Sequence, residues 1–225
     1  MPRTTIEIRR ITTGPSLVIE DAGQLALDFF RTDSSSAPGG YDDQAGHGER
    51  DRVTKADIVA INTTMRARSP HTVWDKVISS SASGDWLARL DTDWDLVGLD
   101  DETWRASTHG AVAEAIKATV GSGRGLSVAT KVLHLKRPKL FPVLDSLVLQ
   151  QLGVTDSVPP MRVIEHLRAE GRRNVDGLKA VQLQVSAHYA RSLVRLLDVL
   201  LWASHPAAGL APSLKGWQHV LRRAG

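Results

Sequence analysis

Cysteine is absent from the 225 residues of this chain. Its absence excludes disulfide bonds, thiol nucleophiles, cysteine-ligated zinc and iron–sulfur clusters. The eight histidines are scattered, and no two have the i, i+4 spacing that places a pair of imidazoles on one helix face. We therefore expect no structural metal and no cofactor.

Long hydrophobic runs are also missing. No run of about 18 apolar residues could span a bilayer, and no charged segment followed by an apolar one resembles a signal peptide. We expect a cytoplasmic protein with no membrane partner. Its fractions of hydrophobic (42%) and charged (24%) residues are typical of globular chains, and its length allows one domain or two closely packed lobes. A formal charge of +3 permits an acidic partner such as nucleic acid without requiring one.

Patterns typical of strands are scarce, and only residues 4–11, TTIEIRRI, alternate polar and apolar side chains. Helical spacing recurs elsewhere, so the predicted fold class is all-α. The predicted helices cover residues 20–31, 54–65, a short stretch after Pro70, 101–120, 160–171, 174–206 and 213–223. Residues 32–52 are rich in Ser, Gly, Asp and Pro, which indicates a mobile loop.

The stretch most suggestive of chemistry is GSGRGLSVATKVLHLKRPKLFPVLDS, residues 121–146. Nucleotide-binding glycine loops follow a β-strand, whereas a helix is predicted before Gly121. A helix, a glycine turn and a second helix remain. Gly123 and Gly125 could adopt positive φ there, and the first amides of the second helix could bind a phosphate. Five cations add positive charge nearby, namely Arg124, Lys131, Lys136, Arg137 and Lys139.

The spacing within this stretch resembles the helix-hairpin-helix DNA glycosylase superfamily. Gly123, Gly125 and Ala129 match the hairpin pattern Gly-x-Gly-x-x-x-Ala, and Asp145 follows Ala129 by sixteen residues after Phe-Pro-Val-Leu. The resemblance covers roughly residues 112–153. Residues 131–134 and 137–145 also resemble the Lys-x-Leu-His and Arg-Pro-x-Leu-x-Pro-Val-x-Asp patterns of an uncharacterised bacterial family.

The resemblance implies an all-α, two-lobed protein with a helix-hairpin-helix motif. Residues 54–144 would form the hairpin lobe, and residues 1–53 would pack with the C-terminal lobe, 145–225. Asp145 would be the catalytic residue of an N-glycosylase that acts on a flipped base in DNA. Ser127 stands where family lyases carry a lysine, which implies a monofunctional enzyme, and Gln150 stands where the family usually has arginine. The implied DNA contacts are Gly121, Gly123, Arg124, Gly125, Ser127, Lys131, Lys136, Arg137 and Lys139, and His134 and Trp104 are candidates for a base pocket.

Each of these residues also has a purely structural interpretation. Asp145 is a suitable helix N-cap, and the glycines could form only an interhelical turn. Lys131 could supply an amine, a phosphate contact or an ion pair, and His134 and Trp104 could simply pack in the core. The alternative functions are therefore a non-catalytic helix-hairpin-helix DNA-binding relative, and a helical protein-interaction module of a regulatory or defence system.

Overall fold

The structure is a computed structural model, and it describes residues 3–33, 40–65, 67, 70, 74–120, 125–186, 189 and 191–208.

A short β-hairpin opens the described chain. Strands β1 (Ile6–Ile8) and β2 (Leu17–Ile19) are antiparallel, with Ile6 opposite Ile19 and Ile8 opposite Leu17. These four side chains are buried while the residues between them point outward, because alternate side chains of a strand lie on opposite faces. The strand predicted within residues 4–11 is thereby confirmed, whereas β2 was not predicted.

Helices make up most of the described chain, which confirms the prediction of a mainly α-helical protein. Asp101–Thr103 continues through a π-helical turn, Trp104–Thr108, into the next helix. The α-helices are α1 Ala22–Thr32, α2 Tyr41–Gln44, α3 Lys55–Thr64, α4 Asp75–Ser83, α5 Asp101–Thr103, α6 His109–Val120, α7 Leu126–Lys136, α8 Ser146–Gln151, α9 Pro160–Arg173, α10 Val175–Ser186 and α11 Leu193–Ala203.

Several helices begin where the sequence predicts. Thr54 caps α3 in a reciprocal capping box, in which its hydroxyl accepts from the amide of Asp57 and the Asp57 carboxylate accepts from the amide of Thr54. The Asp100 carboxylate caps α5 by accepting from the amide of Thr103 at 2.8 Å. Pro160 opens α9, where its missing amide proton costs nothing.

Three predictions about the C-terminal half need correction or lie outside the described residues. The single helix predicted over 174–206 is two helices, α10 and α11, and the Ser192 hydroxyl caps the second one. Helix α9 runs through Gly171, where a Cβ would meet a Val97 methyl carbon at 2.6 Å. Gly171 therefore permits close packing and does not end the helix. The helix predicted over 213–223 falls outside the described part.

The described portion of the predicted mobile loop, residues 40–52, is held against the protein. Tyr41 in α2 is fully buried, and the amide of Gly46 donates to the carbonyl oxygen of Leu135 at 2.7 Å. The low hydrophobicity of this segment concealed contacts that are made with distant parts of the chain.

One connected hydrophobic core joins these helices. Helix α1 packs against α10 and α11, and α11 also contacts α8 and α9. Helix α7 packs against α2, α3 and α6, and α6 contacts α9. No helix in the described ranges is both long and apolar enough to cross a bilayer.

Candidate functional site

A cleft of about 350 Å³ lies between α1, the end of α3, α7 and α11. Its walls combine apolar and aromatic side chains with several ionisable groups. The lining residues are Phe29, Asp33, Thr64, Met65, Lys131, Val143, Asp145, Val148, Arg195, Asp198, Val199, Trp202 and Ala208. Asp145 and Lys131, both singled out from the sequence, thus line the same cleft.

The connector that delivers Asp145 runs from the end of α7 to the start of α8 without regular secondary structure. Side chains bind its backbone groups instead. The amide of Val143 donates to Asp198 Oδ2 at 2.7 Å, and the amide of Leu144 donates to Thr130 Oγ1 at 3.2 Å. Because buried backbone groups need partners, these bonds fix the path of the connector.

Asp145 is the N-cap of α8, as the structural interpretation expected. Its Oδ1 accepts hydrogen bonds from the amides of Leu147 at 2.9 Å and Val148 at 3.0 Å. Among the described residues, no hydrogen bond to Oδ2 is found. The cap fixes the carboxylate through one oxygen while the residue lines the cleft, so a capping role and a chemical role are compatible.

Lys131 presents an amine to the cleft. The residue is 7% exposed, and its Nζ donates to the carbonyl oxygen of Met65 at 3.3 Å. Burial lowers the pKa of the Lys131 amine, the Asp145 carboxylate partly opposes that change, and Arg195 adds to it. The amine is therefore more easily deprotonated than that of an exposed lysine.

Arg195 and Asp198, which also line the cleft, form a buried charge cluster with Asp42. Arg195 donates from Nε to Asp42 Oδ1 at 2.8 Å and from Nη1 to Asp198 Oδ1 at 2.6 Å. Burial would raise the pKa of Asp42, but Arg195 holds it below its usual value. Burial also raises the pKa of Asp198, to about 7, although Arg195 opposes the increase. The Arg195 pKa is raised by the two carboxylates despite its burial.

His134 lies behind the cleft as a structural residue. Its Nδ1 lies 2.6 Å from the carbonyl oxygen of Phe141, which accepts only if Nδ1 carries the proton. The imidazole stacks on the Tyr41 ring, with centroids 5.6 Å apart. Burial lowers the His134 pKa to about 4, so the ring is neutral at physiological pH. His134 helps to hold the connector and does not line the cleft.

Lys136 and Arg137 differ from their predicted role as phosphate contacts. Both side chains are 1% exposed. Lys136 Nζ pairs with Asp57 at 2.6 Å and donates to the carbonyl oxygen of Glu49 at 2.8 Å. Arg137 donates to the carbonyl oxygens of Arg50, Leu87 and Leu90 and to the Asp51 carboxylate. A buried charge must be paired, and these two cations are paired within the protein. Their side chains hold residues 49–51 in place and are not exposed to bind phosphate.

Lys139 belongs with Lys136 and Arg137 to the basic run of residues 136–139, and it is the exposed cation of the three. Its side chain is half exposed, and its Nζ lies 3.4 Å from an oxygen of Asp93, which is itself 88% exposed. An ion pair of this kind contributes little to stability, so Lys139 remains available to an anionic partner.

The predicted hairpin lies mostly outside the described residues, including Gly121, Gly123 and Arg124. Helices α6 and α7 on either side of it are in contact. Gly125 is the N-cap of α7 with φ −66°, and open space surrounds the position of a Cβ. The expectation of positive φ at Gly125 was therefore wrong. Ser127 lies in the first turn of α7, one turn before Lys131.

Trp104 lies away from the cleft. It is 6% exposed, and its ring lies 5.0 Å from the Arg168 guanidinium and 5.7 Å from the His109 ring. From the π-helical turn, Trp104 therefore contacts α9 and the start of α6, where it acts as a core residue and not as part of a base pocket.

Sequence reasoning missed the charge cluster. Arg195 and Asp198 lie within the helix predicted over 174–206, and Asp42 lies within the predicted mobile loop, but none of the three was singled out. The available signal was the i, i+3 pair of opposite charges inside LVRLLDVLLWA, since such residues are rarely buried unless they are paired. Their partner Asp42 is 153 positions away from Arg195 and left no such signal.

Within the described ranges, no group of three or more His, Asp or Glu side chains could hold a metal ion. The described residues define a mainly helical protein in which a fixed aspartate and a buried amine line one small-molecule-sized cleft. The chain belongs to a family of unknown function, DUF6308, whose model matches residues 22–205. No curated protein and no solved structure matches it.

Proposed function

We propose that this protein is a DNA-binding, monofunctional N-glycosylase, in which Asp145 promotes hydrolysis of the bond between a flipped base and its sugar. The observation that carries the proposal is the position of Asp145. Its carboxylate is fixed through Oδ1, and the residue lines a cleft that also contains an amine and aromatic side chains.

The cleft suits one planar heterocycle. Its volume of about 350 Å³ lies within the range of roughly 300–1,000 Å³ common for small-molecule sites. The rings of Phe29 and Trp202 line it and meet edge to face with centroids 5.4 Å apart. Aromatic walls of this kind favour a flat base that has left the duplex stack.

Asp145 has the chemistry that the reaction requires. Cleavage of an N-glycosidic bond builds positive charge on the sugar, which a nearby carboxylate stabilises. The same carboxylate can orient a water molecule and accept its proton as the water attacks the sugar carbon. The Lys131 amine can donate a hydrogen bond to an acceptor atom of the base, which orients the base for departure.

Recognition of DNA is the second part of the proposal. It is supported by the resemblance of residues 112–153 and by the contact between the consecutive helices α6 and α7. Because Lys136 and Arg137 are buried, we assign the proposed contacts with the DNA backbone to residues 121–125 and Lys139. Binding should accordingly weaken as salt increases, although with fewer phosphate contacts than the basic run alone would suggest.

The test compares Asp145→Asn with Asp100→Asn. Both aspartates cap helices through backbone amides, but Asp100 is not among the cleft residues. Wild-type protein is incubated with duplexes that contain deaminated, oxidised, alkylated or mismatched bases, and abasic sites are detected by alkaline strand cleavage. We expect Asp145→Asn to retain DNA binding and lower the rate of base release on the order of 10²-fold. Asp100→Asn should release base at the wild-type rate.

Two results would contradict the enzymatic proposal: no base released from any duplex by the wild type, or equal release by Asp145→Asn. Salt-sensitive DNA binding without base release would favour the non-catalytic DNA-binding alternative. Absence of DNA binding would leave the protein-interaction module.

A further inference from the structure

Asp198 joins two parts of the molecule that the chain keeps far apart. It lies in α11, lines the cleft and is almost fully buried. One carboxylate oxygen accepts from Arg195 at 2.6 Å, and the other accepts from the amide of Val143 at 2.7 Å. Val143 lies two residues before Asp145 in the connector.

The groups around Asp198 hold its carboxylate in one orientation. Arg195 is fixed by Asp42 of α2 through bonds of 2.8 and 3.2 Å. Tyr41, also of α2, donates its hydroxyl to the carbonyl oxygen of Lys131 at 2.5 Å and interacts electrostatically with both Arg195 and Asp198. A chain of bonds thus leads from α2 through Arg195 and Asp198 to the connector.

We infer that Asp198 is the positioning residue for Asp145, and that its ionised carboxylate, fixed by Arg195 and Asp42, holds the connector so that Asp145 stays in place in the cleft. The inference rests on the proposed function only in calling the reaction base release. The mechanical claim concerns the connector and is independent of any substrate.

Protonation of Asp198 should release this hold. A neutral carboxyl group has a hydroxyl oxygen that carries a proton, and Arg195 has only donors, so one of the two present bonds must weaken. Burial raises the pKa of Asp198 to about 7, which places the change within the range of ordinary buffers. The carboxylate is ionised above that pH and neutral below it. His134 remains neutral throughout, because its pKa is about 4.

The nearby charges act on this equilibrium in known directions. Arg195 favours the ionised form of Asp198, and Asp42 disfavours it. On the cleft side, burial lowers the pKa of the Lys131 amine, the Asp145 carboxylate opposes that change and Arg195 adds to it. Arg191 Nε lies 3.8 Å from Asp42 Oδ2. The net result is that the pKa of Asp198 lies at about 7, so a small change in pH around that value alters the charge of its carboxyl group.

The substrate-independent experiment follows backbone amides by nitrogen-15 NMR in the 225-residue chain between about pH 5.5 and about 8.5, a range set around the Asp198 pKa. The amides are those of Val143, which binds Asp198, and of Leu147 and Val148, which bind Asp145. We expect their chemical shifts to change together with a midpoint near pH 7. Asp198→Asn should abolish this transition and increase hydrogen exchange at Leu147 and Val148 about tenfold.

Glu170→Gln is the matched control. Glu170 is also a nearly buried carboxylate paired with arginine, through Arg9 and Arg173, but it is not a cleft residue. It should leave the transition near pH 7 unchanged. A transition limited to Val143, or one that persists in Asp198→Asn, would overturn the inference. If Asp198→Asn does not fold, the wild-type titration alone decides, because Leu147 and Val148 must then move with Val143 or refute the claim.

A kinetic arm separates this inference from the proposed function. If the wild type releases a base, its rate should fall as the pH drops below about 7, because Asp198 becomes protonated. Asp198→Asn should lower kcat on the order of 10²-fold with little change in KM, and its rate should not show this fall. If no base is released but the three amides titrate together, the proposed function fails and the positioning role stands. If base is released but kcat and its pH profile are unchanged in Asp198→Asn, the positioning role fails.

Discussion

Replacement of Arg137 by Met should destabilise the whole protein, and this substitution distinguishes the structural role of Arg137 from the DNA contact predicted from its sequence. The side chain is 1% exposed and donates to the carbonyl oxygens of Leu87 at 2.8 Å, Leu90 at 2.5 Å and Arg50 at 2.7 Å. Methionine matches much of the volume but leaves these acceptors without their donor.

The magnitude follows from the bonds that are lost. An unsatisfied buried acceptor costs about 1–3 kcal/mol, so the three carbonyl oxygens that lose their donor set a loss of at least about 3 kcal/mol. The ion pair with Asp51 adds less than about 1 kcal/mol, because Asp51 is 60% exposed. We expect the free energy of unfolding to fall by about 3–5 kcal/mol. For a chain of this size, Tm should then fall by about 6–20 °C.

The assay is thermal and urea unfolding monitored by circular dichroism, with Lys139→Met as the control. Lys139 belongs to the same basic run but is half exposed, so its replacement should change the free energy of unfolding by no more than about 0.5 kcal/mol. A Tm within about 2 °C of the wild type for Arg137→Met, together with weaker DNA binding, would refute the structural role. It would instead support a phosphate contact.

Three further predictions concern local features. Thr54→Ala should lower the free energy of unfolding by about 1 kcal/mol in urea titrations because the capping box is lost, and Thr54→Ser should be nearly neutral; equal effects would argue against the cap. Gly125→Ser should leave Tm unchanged or slightly raised, since φ is −66° and a Cβ meets open space; a large loss would mean that a glycine is required there. The nitrogen-15 NMR signals of the His134 ring, identified by their absence from the His134→Gln spectrum, should titrate with a midpoint near pH 4. A midpoint near 6.5 would contradict the burial of the ring.

The local features of this fold were accessible from sequence. The capping box at Thr54, the proline start of α9, the helical spacing of α1 and the alternation in β1 each depend on residues within a few positions of one another. Interactions between residues that are close in the chain determine such features, so the folded protein retains them. The break between α10 and α11 was missed because apolar spacing continues on both sides of it.

For the candidate site, the sequence drew attention to Asp145 and Lys131, and the structure places both residues at the same cleft. The prediction that Lys136 and Arg137 contact DNA was wrong, because both side chains are buried. A cluster of cations gives the same sequence pattern whether it faces solvent or binds another segment of the chain. Their partners, Glu49 and Asp51, are 87 and 86 residues away. A one-dimensional pattern does not reveal that a polar loop lies over a basic run.

By itself, then, the sequence determined the helical class, most helix starts and the identity of an acid delivered by a short connector. Only the tertiary structure decided which charges are buried and which face the cleft. The physical reason is that burial couples groups far apart in the chain, as when Asp42 fixes Arg195 across 153 positions and, through Asp198, the connector to Asp145. In water each of these groups would be solvated separately, and their pairing exists only after the core that excludes water has formed.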